Sequence, residues 1–257
     1  MHASLTSPSP MHAPCLPARS LGALLLVVAV TGCNPARVAA TRDYSGPAMP
    51  RPERVLVRDF AITPQDVRLD QGIRARLTRA TSDQPLSAQQ LQVARQANAA
   101  LSETLVAQLR QAGIPAERIA GEVTPARGNT VLIEGQVVSV DEGNKTRRTL
   151  IGLGAGRSSV TADAQLFYRQ GAAAPRLLVS FESSADSGHA PGAAATMGVG
   201  GAAGSSIAAS AAASAGMHGV SERRAASPDD LARKIAEGLA PRIEQYFASQ
   251  GWVSPNR

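Results

Sequence analysis

Few side chains in this chain of 257 residues combine the type and spacing that chemistry requires. The thiol of Cys33 stands out, since Cys15 is the only other cysteine. His189 and His218 have no carboxylate or second ligand at metal-binding spacing, which favours exposed loop histidines over a catalytic or metal-binding role. The sequence therefore predicts no metal site and leaves Cys33 as the residue with the clearest chemistry.

Motifs that bind nucleotides or activate a nucleophile are absent from the sequence. It contains neither a Gly-x-Ser-x-Gly elbow nor a Gly-Lys phosphate loop. The glycine run over residues 152–156 departs from the dinucleotide fingerprint, because Arg157 stands where a third glycine is required. The acidic residues are scattered, so no glycosidase pair can be singled out. We expect a protein that is not an enzyme and holds no cofactor.

An apolar run over residues 21–32 leads directly into Cys33. It follows a polar segment in which Arg19 is the only formal positive charge, and it is too short to span a bilayer, as in a secretory signal peptide. Its end, Val-Thr-Gly-Cys, resembles the bacterial lipobox, in which the cysteine is acylated and the chain is cut just before it. The resemblance implies a signal peptide over residues 1–32 and a diacylglyceryl or acyl lipid, such as palmitate, on Cys33.

The residue after this cysteine bears on location. In lipoproteins that this one resembles, an aspartate there retains the protein in the inner membrane, whereas this chain has Asn34. The resemblance implies a lipid anchor in the outer membrane, on its periplasmic side. An ordinary signal peptide that contains a cysteine and a short buried apolar helix are the alternatives. The long first segment also leaves Met11 as an alternative start to Met1.

The chain is basic, with a formal net charge of +6 and a pI near 10.1. Such a charge could attract anionic lipid headgroups or peptidoglycan. No run of basic residues exceeds two, which instead favours evenly spread charge. Aromatic residues make up 3% of the chain and are not interleaved with basic ones, so we expect no nucleic-acid partner.

Apolar alternation predicts four strands. They are expected over residues 54–60, 130–140, 158–168 and 176–184. Turns join the last three, so we expect an antiparallel meander. Apolar residues on both faces of the strand at 130–140 indicate a central strand covered on both sides, with Val140 on the face opposite Val137.

Two amphipathic helices should pack on this sheet. Ser87 begins the first with a capping-box pattern, and Gly113 ends it. Ser227, followed by a proline and two acids, begins the second, which Gly251 ends. Asn98 lies on the apolar face of the first helix, where we expect a backbone group to satisfy it.

Four segments lie outside this core pattern. Residues 33–53 lack periodicity and predict a lipidated, flexible tether. Residues 63–79 form a weak, arginine-rich helical pattern, which predicts a partly ordered insertion. Residues 190–217 are almost wholly Ala, Gly and Ser without charge; we expect a loosely packed helix, with a low-complexity insertion or, least favoured, membrane insertion as alternatives. Residues 252–257 form a tail.

A glycine-rich segment separates the second and third predicted strands. Its notable residues are Gly143, Asn144, Arg147, Arg148, Gly152, Gly154 and Gly156. With the Ile-Glu-Gly strand before it and Ser-Val after it, this pattern resembles the DUF4410 family of bacterial lipoproteins over residues 55–247. That family has no assigned activity. The first strand, Val-Leu-Val-x-Asp-Phe, more loosely resembles the small α/β domains of curli-secretion and penicillin-binding-protein activator lipoproteins.

The glycine-rich segment supports two interpretations. In the first, the segment is a structural crossover in which Asn144 caps a turn, Arg147 and Arg148 are solvated, and the glycines allow close packing. As a partner or ligand loop, it presents exposed amides and one of the two arginines to an anion. We favour the first, since no acid, base or nucleophile converges there.

Together these features predict a single α/β domain over residues 54–251, with a mixed sheet of four to five strands packed by two main amphipathic helices. Residues 190–217 form its insertion. We expect a non-enzymatic envelope lipoprotein, held to the membrane by its lipid, that acts as a periplasmic protein-binding or assembly module and could form a homo-oligomer. The alternative is a basic lipoprotein that binds the cell wall.

Overall fold

A seven-stranded mixed sheet forms the centre of the fold. The computed structural model describes residues 35–121, 128–151, 154–188 and 227–254. The strands are β1 (Arg37–Asp43), β2 (Arg54–Arg58), β3 (Val67–Arg68), β4 (Ala116–Ile119), β5 (Asn129–Asp141), β6 (Ser159–Gln170) and β7 (Arg176–Asp186). Their order is β1-β7-β6-β5-β2-β4, and β3 pairs with β5 beyond the end of β2.

Four helices accompany the sheet. They are α1 (Ile73–Ala80), α2 (Leu86–Gln111), α3 (Lys145–Leu150) and α4 (Pro228–Ser249), with a 3-10 turn at Pro64–Asp66. α2 and α4 pack against each other and against the sheet, and their large apolar side chains fill the core. Fully buried members are Leu101, Leu105, Leu109, Leu231, Ile235, Leu239 and Ile243. This confirms the predicted α/β domain with two main helices.

The predicted meander is confirmed, but the strand count was too low. β5, β6 and β7 pair antiparallel in sequence order. β1 continues this pattern on β7, whereas β2 runs parallel to both β5 and β4. β3 and β4 have two and four residues, too few to display the alternation by which strands are recognised.

β1 lies inside the segment predicted as a flexible tether. Its side chains are almost all exposed, so it has no apolar alternation to reveal it. Backbone pairing with β7 holds it instead, and the hydroxyl of Thr41 donates to the carbonyl of Ser180 over 3.3 Å. The tether prediction for residues 33–53 is therefore wrong at residues 37–43. Cys33 lies outside the described residues.

A bulge in β5 changes which of its residues face the core. The register with β6 shifts between Val137 and Ser139, which leaves Val138 without a partner. Val137 and Val140 are consequently both fully buried, whereas Val138 is 42% exposed. The prediction that Val140 faces away from Val137 is wrong. The prediction of a strand covered on both sides is confirmed in the first half of β5, where Val131, Leu132 and Ile133 are all buried, and is wrong in its second half, where Gln136 and Val138 are exposed.

The two long helices begin differently. In α4 the hydroxyl of Ser227 accepts from the backbone N–H of Asp230, and Pro228 is the first helical residue, as predicted. α2 begins after Pro85 without a side-chain cap, so the capping box predicted at Ser87 is wrong. The fixed φ of Pro85 leads the chain into the helix there. Among the described residues, no helix is long and apolar enough to cross a membrane.

The predicted tail begins with a core residue. Trp252 is 3% exposed, and its ring stacks on Tyr168 with centroids 5.8 Å apart. The indole N–H donates to the carbonyl of Met49 over 2.8 Å. The domain therefore includes Trp252, and the tail prediction is wrong there. Residues 190–217 lie outside the described part of the chain, so the predictions for that insertion stay predictions.

Candidate functional site

The glycine-rich segment joins β5 to β6 at one end of the sheet. Its middle forms α3, a helix of six residues. The notable residues that the structure describes are Gly143, Asn144, Arg147, Arg148, Gly154 and Gly156. Gly152, like Cys33, lies outside the described residues. The contacts of the described residues separate structural roles from surface ones.

Two glycines let the ends of this segment cross closely. Gly143 has φ +67°, and a Cβ there would clash with the backbone oxygen of Arg157. Gly156 has φ +74°, and a Cβ there would clash with the backbone oxygen of Asn144. Both positions need glycine for conformation and for space. The close backbone approach expected of a structural crossover is therefore present.

Asn144 and Arg148 also serve the crossover. The Asn144 side chain accepts from the N–H of Arg147 over 2.9 Å, and its own N–H donates to the carbonyl of Gly156 over 3.0 Å. Arg148 is half-buried and donates to the carbonyls of Gly156 at 3.0 Å and Glu142 at 3.4 Å. Neither a solvated Arg148 nor one that faces an anion matches these contacts. Arg147 is exposed, as predicted.

A buried carboxylate that the sequence did not single out ties the segment to the chain before α1. Asp70 is 4% exposed, and its Oδ1 accepts from the N–H groups of Gly72 at 2.8 Å and Lys145 at 3.1 Å. These donors flank the starts of α1 and α3, where a negative charge is favoured. The Asp70 N–H in turn donates to the Glu142 carboxylate over 3.0 Å.

Asp70 belongs to the arginine-rich segment predicted as a partly ordered insertion. That segment forms the 3-10 turn, β3 and most of α1, and Val67 is 1% exposed. The sequence signal for Asp70 was an aspartate two residues before Gly72, the residue that precedes α1, a pattern that closes a turn on the aspartate side chain. The pattern was missed because residues 63–79 were interpreted as one weakly periodic helical segment.

The two short helices present charge and apolar surface outward. α1 contains three arginines and α3 contains a lysine and two arginines, without an acid in either helix. Neither helix has a buried residue. The two helices therefore form a basic end of the domain.

Two groups whose pKa values depart from their ordinary range lie away from this end. Burial raises the pKa of Tyr246 to about 12, with further upward contributions from Asp43 and Tyr44. A hydrogen bond to Asp59 raises the pKa of Arg118. In the ranges that the structure describes, no three His, Cys, Asp or Glu side chains are grouped to hold a metal.

Comparisons with known proteins give a family and a distant structural similarity. A family model described as a domain of unknown function (DUF4410) matches residues 55–204. The chain is similar to a solved structure of a PelC dodecamer from Paraburkholderia phytofirmans, with 17% identity, a TM-score of 0.30, and coverage of 59% of this chain and 81% of that chain. No curated protein matches.

Proposed function

We propose that this chain, which belongs to the DUF4410 family, is a non-enzymatic envelope lipoprotein with lipid on Cys33. The observation that carries the proposal is the apolar run over residues 21–32 that closes on Val-Thr-Gly-Cys. The lipid holds the domain at the periplasmic side of the outer membrane. There the domain acts as a protein-binding or assembly module.

The position of β1 supports a close attachment to the membrane. Three residues separate Cys33 from Arg37, the first residue of β1, so their Cα atoms are at most about 14 Å apart. A long flexible tether would let the domain move away from its anchor. Here the domain starts almost at the lipid.

The sheet offers surfaces for a protein partner. Among the strands that the structure describes, β1 lies at the edge of the sheet and pairs only with β7, and an edge of this kind can pair with another chain. The face away from the helices carries polar residues such as Asp163, Gln165 and Glu182, none of them buried. A partner protein can bind either surface without disturbing the core.

The lipid is tested by substitution and labelling in a bacterial host. We expect the wild-type protein to incorporate a palmitate analogue and to fractionate with the outer membrane. Cys33→Ser should abolish labelling and release the protein from membranes, whereas Cys15→Ser, within the predicted signal, should do neither. Retention of unlabelled Cys33→Ser in the membrane fraction would point to another anchor.

Binding to the cell wall is the second candidate, favoured by the net charge of +6. Crosslinking of the lipidated protein in its own envelope and sedimentation with purified peptidoglycan separate the two. The proposed module should give discrete protein adducts and remain in the supernatant. Pelleting with peptidoglycan without any protein adduct would replace the module by a cell-wall binder.

A further inference from the structure

The start of β1 and the two short helices lie at the same end of the sheet, where the strands begin or end; we call this end of the sheet the anchor edge. Arg37, where β1 begins, pairs with Ser184 near the end of β7. The end of β7 pairs with Ser159 at the start of β6, and Ser159 also pairs with Asp141 at the end of β5. α3 follows β5 directly, and α1 follows β3, whose last residue pairs with Asp141. The chain that leads back to Cys33 thus leaves the domain at the same end of the sheet as both helices.

Exposed apolar side chains gather at the anchor edge. Ile73 and Leu77, one turn apart on α1, are 79% and 66% exposed. Leu150 and Ile151, at the end of α3, are 55% and 48% exposed. The other exposed large apolar side chains of the described residues are Leu86 and Val138. Leu86 begins α2, shortly after α1. Val138 lies three residues before the end of β5.

The same two helices carry outward-facing cations. Arg74, Arg76 and Arg147 are exposed and make no ion pair with any residue in the described ranges. Two of the acids close by are already engaged. Glu142 accepts from the backbone and lies 3.6 Å from Lys145, and Asp141 accepts from the N–H of Gly143. Asp83, three residues after the end of α1, is exposed. The two helices themselves carry only positive charge.

The crossover fixes the relative position of α1 and α3. Asp70 binds the backbone at the start of both helices, and a Cβ on Gly72 would lie 2.9 Å from the hydroxyl oxygen of Thr146. The Arg79 guanidinium donates to the carbonyl of Asp70, which fixes α1 from its other end. These bonds hold the starts of the two helices side by side, so their apolar and basic side chains are presented together.

We propose that α1 and α3 form a membrane-binding patch for an anionic bilayer surface, with the four apolar side chains inserted between headgroups and the three arginines paired with lipid phosphates. Helices with apolar and arginine-rich faces bind such interfaces, and each cation near an anionic surface adds to the affinity. A second copy of this chain suits the patch poorly, since a symmetric contact would bring cation against cation. The orientation rests on the proposed lipid at Cys33, whereas the patch itself can be tested without lipid.

The test uses the chain from residue 33 onward with Cys33→Ser, which keeps the whole described domain. It is floated with vesicles of phosphatidylcholine with and without phosphatidylglycerol. We expect binding to the anionic vesicles only, weakened by salt. Replacing Ile73, Leu77, Leu150 and Ile151 by serine should lower affinity about tenfold or more. Replacing Arg74, Arg76 and Arg147 by glutamine should do the same.

A matched control removes three positive charges from surfaces outside the patch. Arg51, Arg95 and Arg242 are also exposed, and their triple replacement by glutamine should leave vesicle binding near wild type. Failure of the wild-type chain to bind anionic vesicles, or equal loss in the control triple, would overturn the patch. Loss of self-association without loss of vesicle binding in the serine variant would assign the surface to a second copy instead. Because no lipid is attached, a failed Cys33 labelling experiment leaves these outcomes unchanged.

Discussion

Single residues decide the geometry of the crossover. Gly143, where an added Cβ would meet other atoms, can be compared with Gly113, where an added Cβ would meet none. Gly143→Ala adds both a strained φ and a clash with the Arg157 backbone, whereas Gly113→Ala adds the strained φ alone, with no atom within 4 Å. We expect Gly113→Ala to cost about 1–2 kcal/mol of unfolding free energy, and Gly143→Ala clearly more. Urea denaturation measures both. Equal losses would mean that the crossover adjusts easily.

Tyr246 combines a buried hydroxyl without a hydrogen-bond partner and a raised pKa. In the folded state the phenol stays neutral up to a pH of about 12, whereas the unfolded phenol ionises near its ordinary value of 10. Protons are therefore lost on unfolding in this range, so stability should fall as pH rises from about 10 to 12. Tyr246→Phe should remove this part of the fall without loss at neutral pH.

Tyr168 gives a comparison for that experiment, because burial raises the pKa of its phenol as well, whereas its hydroxyl has a hydrogen-bond partner. Its hydroxyl donates to the carbonyl of Pro50 over 3.0 Å, so Tyr168→Phe should cost about 1 kcal/mol at neutral pH. Chemical denaturation of both variants between neutral pH and pH 12 gives the comparison. An unchanged alkaline fall in Tyr246→Phe would locate the titrating group elsewhere.

At the scale of elements, the sequence predicts what periodicity encodes. The Leu101, Leu105 and Leu109 stripe and the Ser227 start of α4 follow from spacing and capping, and Asn98 is satisfied by the backbone of Phe60 as expected. β1 depends on backbone pairing with a strand more than a hundred residues away. No local pattern contains that information.

The candidate site was predictable to a smaller extent. The glycine positions and the Asn144 cap could be inferred from residue type. The bond from Lys145 to Asp70 arises because β3 and β5 end side by side, and the bond from Arg148 to Gly156 arises because the two ends of the β5–β6 connection cross. The β3–β5 pairing involves only two residues of β3, too few for apolar periodicity to reveal. The exposed apolar patch could not be recognised from the sequence, which does not show which apolar side chains remain exposed.

α4 and β1 meet closely at a helix glycine. A Cβ on Gly238 would lie 3.1 Å from a methyl group of Val38 and 3.2 Å from the Cβ of Ala36. Gly238→Leu should therefore push β1 away at a cost of about 1–3 kcal/mol. Hydrogen exchange of the β1 amides should rise while the core of α2 stays protected. Leucine at the exposed neighbour Glu237 is the control, and equal exchange in both variants would contradict the contact.

At the scale of the molecule, tryptophan fluorescence can report orientation, because Trp252 is the chain's single tryptophan. It packs against Met49 and Tyr168, which lie towards the edge of the sheet opposite the anchor edge. On vesicles with brominated lipids, Trp252 emission should stay unquenched. Leu150→Trp in a Trp252→Phe background should be quenched, and the reverse pattern would place the opposite edge on the bilayer.

The length of β5 sets how far such an anchored domain extends. Its 13 residues run from the Trp252 end to the anchor edge, a distance of about 40 Å. With the anchor edge on the bilayer, the strands run roughly along the membrane normal. The polar sheet face and the β1 edge then face parallel to the membrane plane. A partner would therefore approach along the membrane rather than from above it, and neighbouring lipoproteins would meet this domain side by side.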